Sequence, residues 1–110
     1  MTRSTKDVRR SLARRLPLAT AGAILLEEFL KPMGLSQSAL ARAIKVALWR
    51  INEIVLGRRA VSADTDLRLS RHFGLSEGYF IGLQMDHDLR ARKWQIGREL
   101  SAIAARQAAE

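Results

Sequence analysis

Between residues 36 and 59 the chain gathers side chains that can grip an anion or tell one hydrogen-bonding edge from another: Ser36, Gln37, Lys45, Leu48, Trp49, Arg50, Asn52, Glu53, Arg58 and Arg59. Arg50 carries a planar fork of donors that fits guanine O6 and N7, and Asn52 a donor–acceptor pair that fits adenine N6 and N7. Each good pair of that kind discriminates by about 1–3 kcal/mol. Ser36 and Gln37 stand where a helix is expected to begin, and the free N–H groups of such a terminus suit a phosphate. Capping alone would explain Ser36 but not the Gln beside it. Ala47 and Leu48 can make no directional bond but can touch a thymine methyl, and Trp49 adds a single N–H donor. Trp49 also has an alternative reading as part of an apolar patch for packing or protein contact. Arg50 lies on the flank of the expected face, so its partner is base or phosphate.

These groups share a face only if two short helices position them. Leu40, Ala41 and Ile44 follow i, i+1, i+4 and form one stripe of a 3.6-residue period; Ile51, Ile54 and Val55 form a second. Ala41 is the small residue that a close, steep crossing needs. Helices packed in this way expose the first turn of the second one, which can enter a DNA major groove. Ser36 caps the first of the pair, which runs to Ile44; the second begins near Ala47 and ends at Gly57. Lys45 falls at the turn, where a left-handed residue is required and a non-glycine costs about 1–2 kcal/mol. Either the turn is altered or Lys45 offsets that cost by reaching a phosphate.

Around this pair the expectation is all-helical. A helix from Gly22 to Lys31, stopped by Pro32 and Gly34, buries Ile24, Leu25, Phe29 and Leu30. After a loop at 58–61, Ser62 caps a fourth helix with Asp64 and Asp66 in its first turn, and Gly74 ends it. Ser76 caps a fifth helix carrying Tyr79, Phe80 and Leu83. Residues 88–109 read as one long C-terminal helix with Trp94, Ile96, Leu100 and Ile103 as an apolar stripe. That stripe needs cover from its own body, a second subunit or another protein.

The chain has 110 residues and a net charge of +8, enough for one helical domain without staples. Six basic residues against Asp7 make residues 1–16 an arm of net +5, whereas 17–85 and 86–110 are only +2 and +1. Polyanions, nucleic acid above an anionic membrane, are the natural partner, unless the arm merely solubilises. The division expected is a basic arm at 1–16, a DNA-binding domain at 17–87 and a helical tail at 88–110. No cysteine is present, so disulfide and thiolate chemistry are excluded. No apolar run approaches the roughly 20 residues of a membrane span, and the start lacks the apolar core of a secretion signal. His72 and His87 have no imidazole at i+4, and no Ser–His–Asp set, phosphate loop or paired buried carboxylates stand out, so neither a metal, a cofactor nor an enzymatic role is expected.

GAILLEEFLKPMGLSQSALARAI, RINEIVLGRR and SADTDLRLSRHFG, spanning about Gly22 to Leu89, resemble the Xre/lambda-repressor helix-turn-helix domains of HigA-type antitoxins. The resemblance implies a lambda-repressor-like five-helix DNA-binding domain in a cytoplasmic protein. It further implies operator binding as a dimer, repression of its own operon, and neutralisation of a RelE/HigB-like ribonuclease toxin. A solitary Xre-family regulator without a toxin is the alternative, and a partner-binding module that has lost DNA is a third. In the superfamily the position of Gln37 often holds a Gln bonded to a DNA phosphate, and the loop holding Arg58 and Arg59 lies along the backbone. Those two arginines could instead complement a helix dipole. HigA-type chains usually have polar residues or Pro where this one has Ala47, Leu48 and Trp49.

One module makes few contacts, so a two-fold homodimer on half-sites about one helical turn apart is expected. Tyr79, Phe80, Leu83 and Met85 are the expected dimer surface; residues that apolar could also complete the core. Glu27 and Glu28 solvate the first helix or offer a contact to a basic toxin.

Overall fold

The computed structural model describes residues 19–106, so the basic arm expected at 1–16 lies outside the described residues. The described residues are helical throughout, with no strand among them. Helix α1 is composite: α-helical over Ala21–Ile24, π-helical over Leu25–Leu30 and α-helical again over Lys31–Met33. Thr20 caps it, its Oγ1 accepting from the Ala23 N–H at 3.0 Å. The helix passes through Pro32 instead of stopping at Lys31. Proline removes an amide and collides with the carbonyl four residues back. The widened turn before it, with the Lys31 N–H bonded to the Leu26 carbonyl five residues earlier, changes the register just where that collision would fall.

Helices α2 (Gln37–Ile44) and α3 (Leu48–Val55) form the expected pair, and Ser36 caps α2 by accepting from the Ala39 N–H at 3.0 Å. Leu40, Ala41 and Ile44 meet Ile51 and Ile54 inside the core. Helix α1 lies against α3 so closely that a Cβ on Gly22 would fall 1.8 Å from the Ile54 carbonyl oxygen. Only a residue without a side chain allows that approach.

Helix α4 (Ala63–Phe73) starts at the expected cap, Ser62. Its two early aspartates diverge. Asp64 is exposed, whereas Asp66 is 1% exposed and does not serve its own helix. Asp66 accepts from the backbone N–H groups of Gly78 (2.6 Å), Phe80 (2.9 Å) and Ile81 (3.0 Å). It is therefore the cap of helix α5 (Tyr79–Gln95), whose own N-cap, Gly78, has no side chain to offer. Ser76, expected in that role, gives only its backbone carbonyl to Tyr79.

Four helices end alike, in the Schellman arrangement of paired 6→1 and 5→2 bonds. The left-handed position is filled by Gly34, Lys45, Gly57 and Gly74 in turn. Lys45, at φ 62°, is the one non-glycine with positive φ among the described residues. The turn is thus unaltered, and lysine occupies it.

Two expectations for the C-terminal third are corrected. Tyr79, Phe80 and Leu83 are 4%, 0% and 3% exposed within the single chain. Tyr79 and Phe80 join Phe29 and Phe73 in an aromatic cluster, with Phe29 ring centroids 4.9–5.9 Å from the other three. They have no area left for a second subunit; of the four residues expected at a dimer surface only Met85 faces out. Nor is there a separate helix from residue 88. Helix α5 runs across that point to Gln95, breaks at Ile96 (φ −110°, ψ 24°) and is followed by the short α6, Gly97–Ser101. Gly97, a weak helix former, marks the break.

Candidate nucleic-acid interface

The start of α3 forms a convex outer edge, with Ala47, Leu48 and Trp49 exposed, Trp49 by 53%. Lys45, Arg58 and Arg59 are exposed beside it. Across the pair, the Asn52 Nδ2 donates to Gln37 Oε1 at 3.4 Å, so two residues 15 apart in sequence meet. That long contact ties the first turn of α2 to the middle of α3. Asn52 is exposed, but its amide is partly committed to Gln37.

Arg50 lies on the flank, as its register predicts, and turns toward α4. Its Nη1 is 3.0 Å from Asp64 Oδ2, and Arg68 Nε reaches the same oxygen at 2.9 Å. Arg68 also donates through Nη1 to the Ile44 carbonyl at 2.8 Å and to the Lys45 carbonyl at 3.4 Å. One guanidinium therefore grips both the helix-turn-helix turn and the carboxyl group that holds Arg50. The Arg68 hydrogen bond, joined by its charge and by Arg50, holds the Asp64 carboxyl below its ordinary pKa against a smaller opposing effect of desolvation. Such exposed pairs contribute little to stability. What they fix is direction.

Arg59 does not run free along the loop. Its Cζ lies 4.6 Å from the centroid of the Trp49 ring, and its Nε donates to Glu53 Oε1 at 3.0 Å. Arg58, next to it, is exposed. The loop that carries both is anchored by Gln84 of α5, whose amide pairs with the Val61 backbone in both senses, accepting from its N–H at 2.7 Å and donating to its carbonyl at 3.1 Å. Trp49, Arg50, Arg59, Asp64 and Arg68 together line a cleft between α3 and α4.

Sequence patterns singled out the outer edge but missed Asp64, Arg68 and Gln84 as its supports. Asp64 and Arg68 are four apart, a visible ion-pair spacing, yet nothing local says that the pair reaches α3. Gln84 acts on backbone atoms 23 residues away and leaves no pattern. Elsewhere, Glu27 pairs with Lys31 at 2.7 Å, His87 Nδ1 lies 3.0 Å from Asp88, and His72 packs on Phe73 with centroids 5.1 Å apart. No helix among the described residues is long and apolar enough to cross a membrane.

The helix-turn-helix family profile matches residues 26–80, half of the chain. The virulence-associated protein I of Dichelobacter nodosus is 49% identical over 75 residues, which are 68% of this chain and 69% of that protein. The Pseudomonas aeruginosa antitoxin HigA, solved with the higBA promoter, is 34% identical, with a TM-score of 0.74 over 82% of this chain and 99% of its own. The antitoxin GraA in complex with its operator is 41% identical, with a TM-score of 0.73 over 82% and 91% of the two chains. With the outward edge of α3, the left-handed turn at Lys45 and these likenesses in hand, the chain belongs to the helix-turn-helix family and, within its Xre-like superfamily, to the HigA-type antitoxins, which are regulators and not enzymes.

Proposed function

We propose that this antitoxin binds its own operator as a symmetric homodimer, lays the outer edge of α3 in the major groove, represses its operon and neutralises a RelE/HigB-like ribonuclease toxin. The observation that carries the DNA part is the presentation of residues 47–53 on a convex edge flanked by Lys45, Arg58 and Arg59. A buried α3 start would have left nothing to enter a groove. The Pseudomonas HigA and GraA structures, solved with promoter and operator DNA, support the same use of this fold.

In this reading Ser36, Gln37, Lys45 and Arg58 meet phosphates and set register, while Leu48, Trp49 and Glu53 face base edges. Asn52 orients Gln37 as well as facing the groove. Arg50 is held by Asp64 in the free chain and reaches phosphate from the flank. For the dimer, Met85 and Leu89 on α5 and Trp94 near its end are exposed apolar side chains on one arm, and a second copy covers them.

The test is a mobility-shift titration on the DNA upstream of the gene, with co-expression of the neighbouring small open reading frame. Wild type retards its upstream fragment, and the Gln37→Ala and Arg58→Ala variants each bind more weakly. With 6–10 phosphates neutralised per dimer, affinity falls by roughly 10³–10⁵ between 50 and 200 mM salt. Equal retardation of wild type and both variants refutes the site. A chain that purifies alone after co-expression refutes the toxin partner and leaves a solitary regulator.

A further inference from the structure

The geometry points to Arg59 as a base reader for guanine, built in advance on a platform of Trp49 and Glu53; this rests on the operator-binding reading above. Trp49 and Glu53 are four residues apart on the exposed face of α3, one helical turn along the edge that faces the groove. Arg59 comes from the following loop yet folds back over that same face, with its Cζ 4.6 Å from the indole centroid and its Nε bonded to Glu53 Oε1 at 3.0 Å.

Three physical points favour a base edge over a phosphate. An arginine that only neutralises phosphate needs no shelf, whereas a guanidinium fixed over an aromatic ring keeps its planar fork in one orientation. With Nε taken by Glu53, the two terminal Nη groups have no protein partner among the described residues, and a fork of two donors is what guanine O6 and N7 accept. Finally, the Glu53 carboxylate beside the fork repels a fully charged phosphate more strongly than it repels the partial charges of a neutral base edge. Arg58, one residue earlier and outward with no such shelf, remains the phosphate contact. The assignment also gives the non-polar start of α3 a use. Trp49 supplies a surface instead of a hydrogen bond, and specificity comes from a residue outside the helix.

Selection from a random duplex library tests this whatever the operator sequence proves to be. Wild type is expected to enrich a motif with a fixed guanine in each half-site. Arg59→Ala and Trp49→Ala lose the preference at that base pair by roughly 10- to 100-fold and keep it elsewhere, while Arg58→Ala weakens all sequences alike. Placing 7-deazaguanine at that position, which removes the N7 acceptor, weakens wild type but not Arg59→Ala. An Arg59→Ala variant that keeps the wild-type motif and merely loses affinity with a shallower salt slope makes Arg59 a phosphate contact. That result overturns the inference and leaves operator binding standing. If Trp49→Ala keeps the guanine, the platform is overturned. Should wild type enrich no sequence, operator binding itself fails and this inference with it.

Discussion

The outer edge of α3 and the arm formed by the end of α5 with α6 are both exposed, yet they are exposed in opposite ways. On the edge, several polar side chains are tied to a partner from another element: Arg50 to Asp64, Arg59 to Glu53 and Trp49, Asn52 to Gln37, with Arg68 of α4 holding the turn carbonyls behind them. On the arm and just past its end, Met85, Leu89, Trp94, Leu100 and Ile103 are large apolar side chains left exposed, Trp94 by 89%. A surface fixed in advance suits a ligand of constant shape, such as a duplex. Large apolar groups left bare suit a protein partner, because they are stabilised only when covered. The difference separates a rigid reading surface from an unfinished one.

The sharpest way to break the contrast is to loosen what holds the edge. Gly22→Ala forces a Cβ into the Ile54 carbonyl and is expected to destabilise the fold by about 3 kcal/mol, seen as a large fall in Tm. A variant that melts like wild type would mean that α1 does not set the position of α3. Asp66→Ala strips the Gly78 N-cap and two α5 amides of their acceptor. Its expected loss is about 2 kcal/mol, read in a urea titration; an unchanged midpoint would dissolve the link between α4 and α5.

The smaller effects run the other way. Lys45→Gly relieves the left-handed lysine and should raise stability by about 1 kcal/mol, while DNA affinity falls if the ammonium holds a phosphate. A rise in both would leave lysine there without a role in binding. On the arm, Met85→Lys with Leu89→Lys should leave the thermal melt of the monomer nearly unchanged, since neither side chain is in the core. Light scattering should then show a dimer for wild type and a monomer for the double variant. A variant that remains dimeric places the partner surface elsewhere.

Local signals made the helix-turn-helix legible. Ser36, Ser62, Gly57 and Gly74 are caps whose chemistry acts within one turn, and the structure keeps all four. The unusual Lys45 was also visible as a residue in a glycine's place. What failed was everything decided over distance. Pro32 reads as a stop because its missing amide is a local fact, while the widened turn that accommodates it depends on the helix before it. Ser76 reads as a cap, but Asp66, ten residues earlier, reaches the α5 amides first. Tyr79, Phe80 and Leu83 show that apolar periodicity states that a face is covered, never by which chain. Arg50 and Arg59 were picked out by type, but their aim is set by Asp64, Glu53 and Trp49.

Helix α4 bears Asp64 and Asp66 two positions apart, one turned toward the α3 flank and the other plugged into the root of α5. A single stiff rod is thus bolted at one level to both the gripping edge and the protruding mast. In the proposed dimer, the angle between two such masts would pass through that rod to the two edges, so the spacing of the half-sites on DNA would be set far from any base.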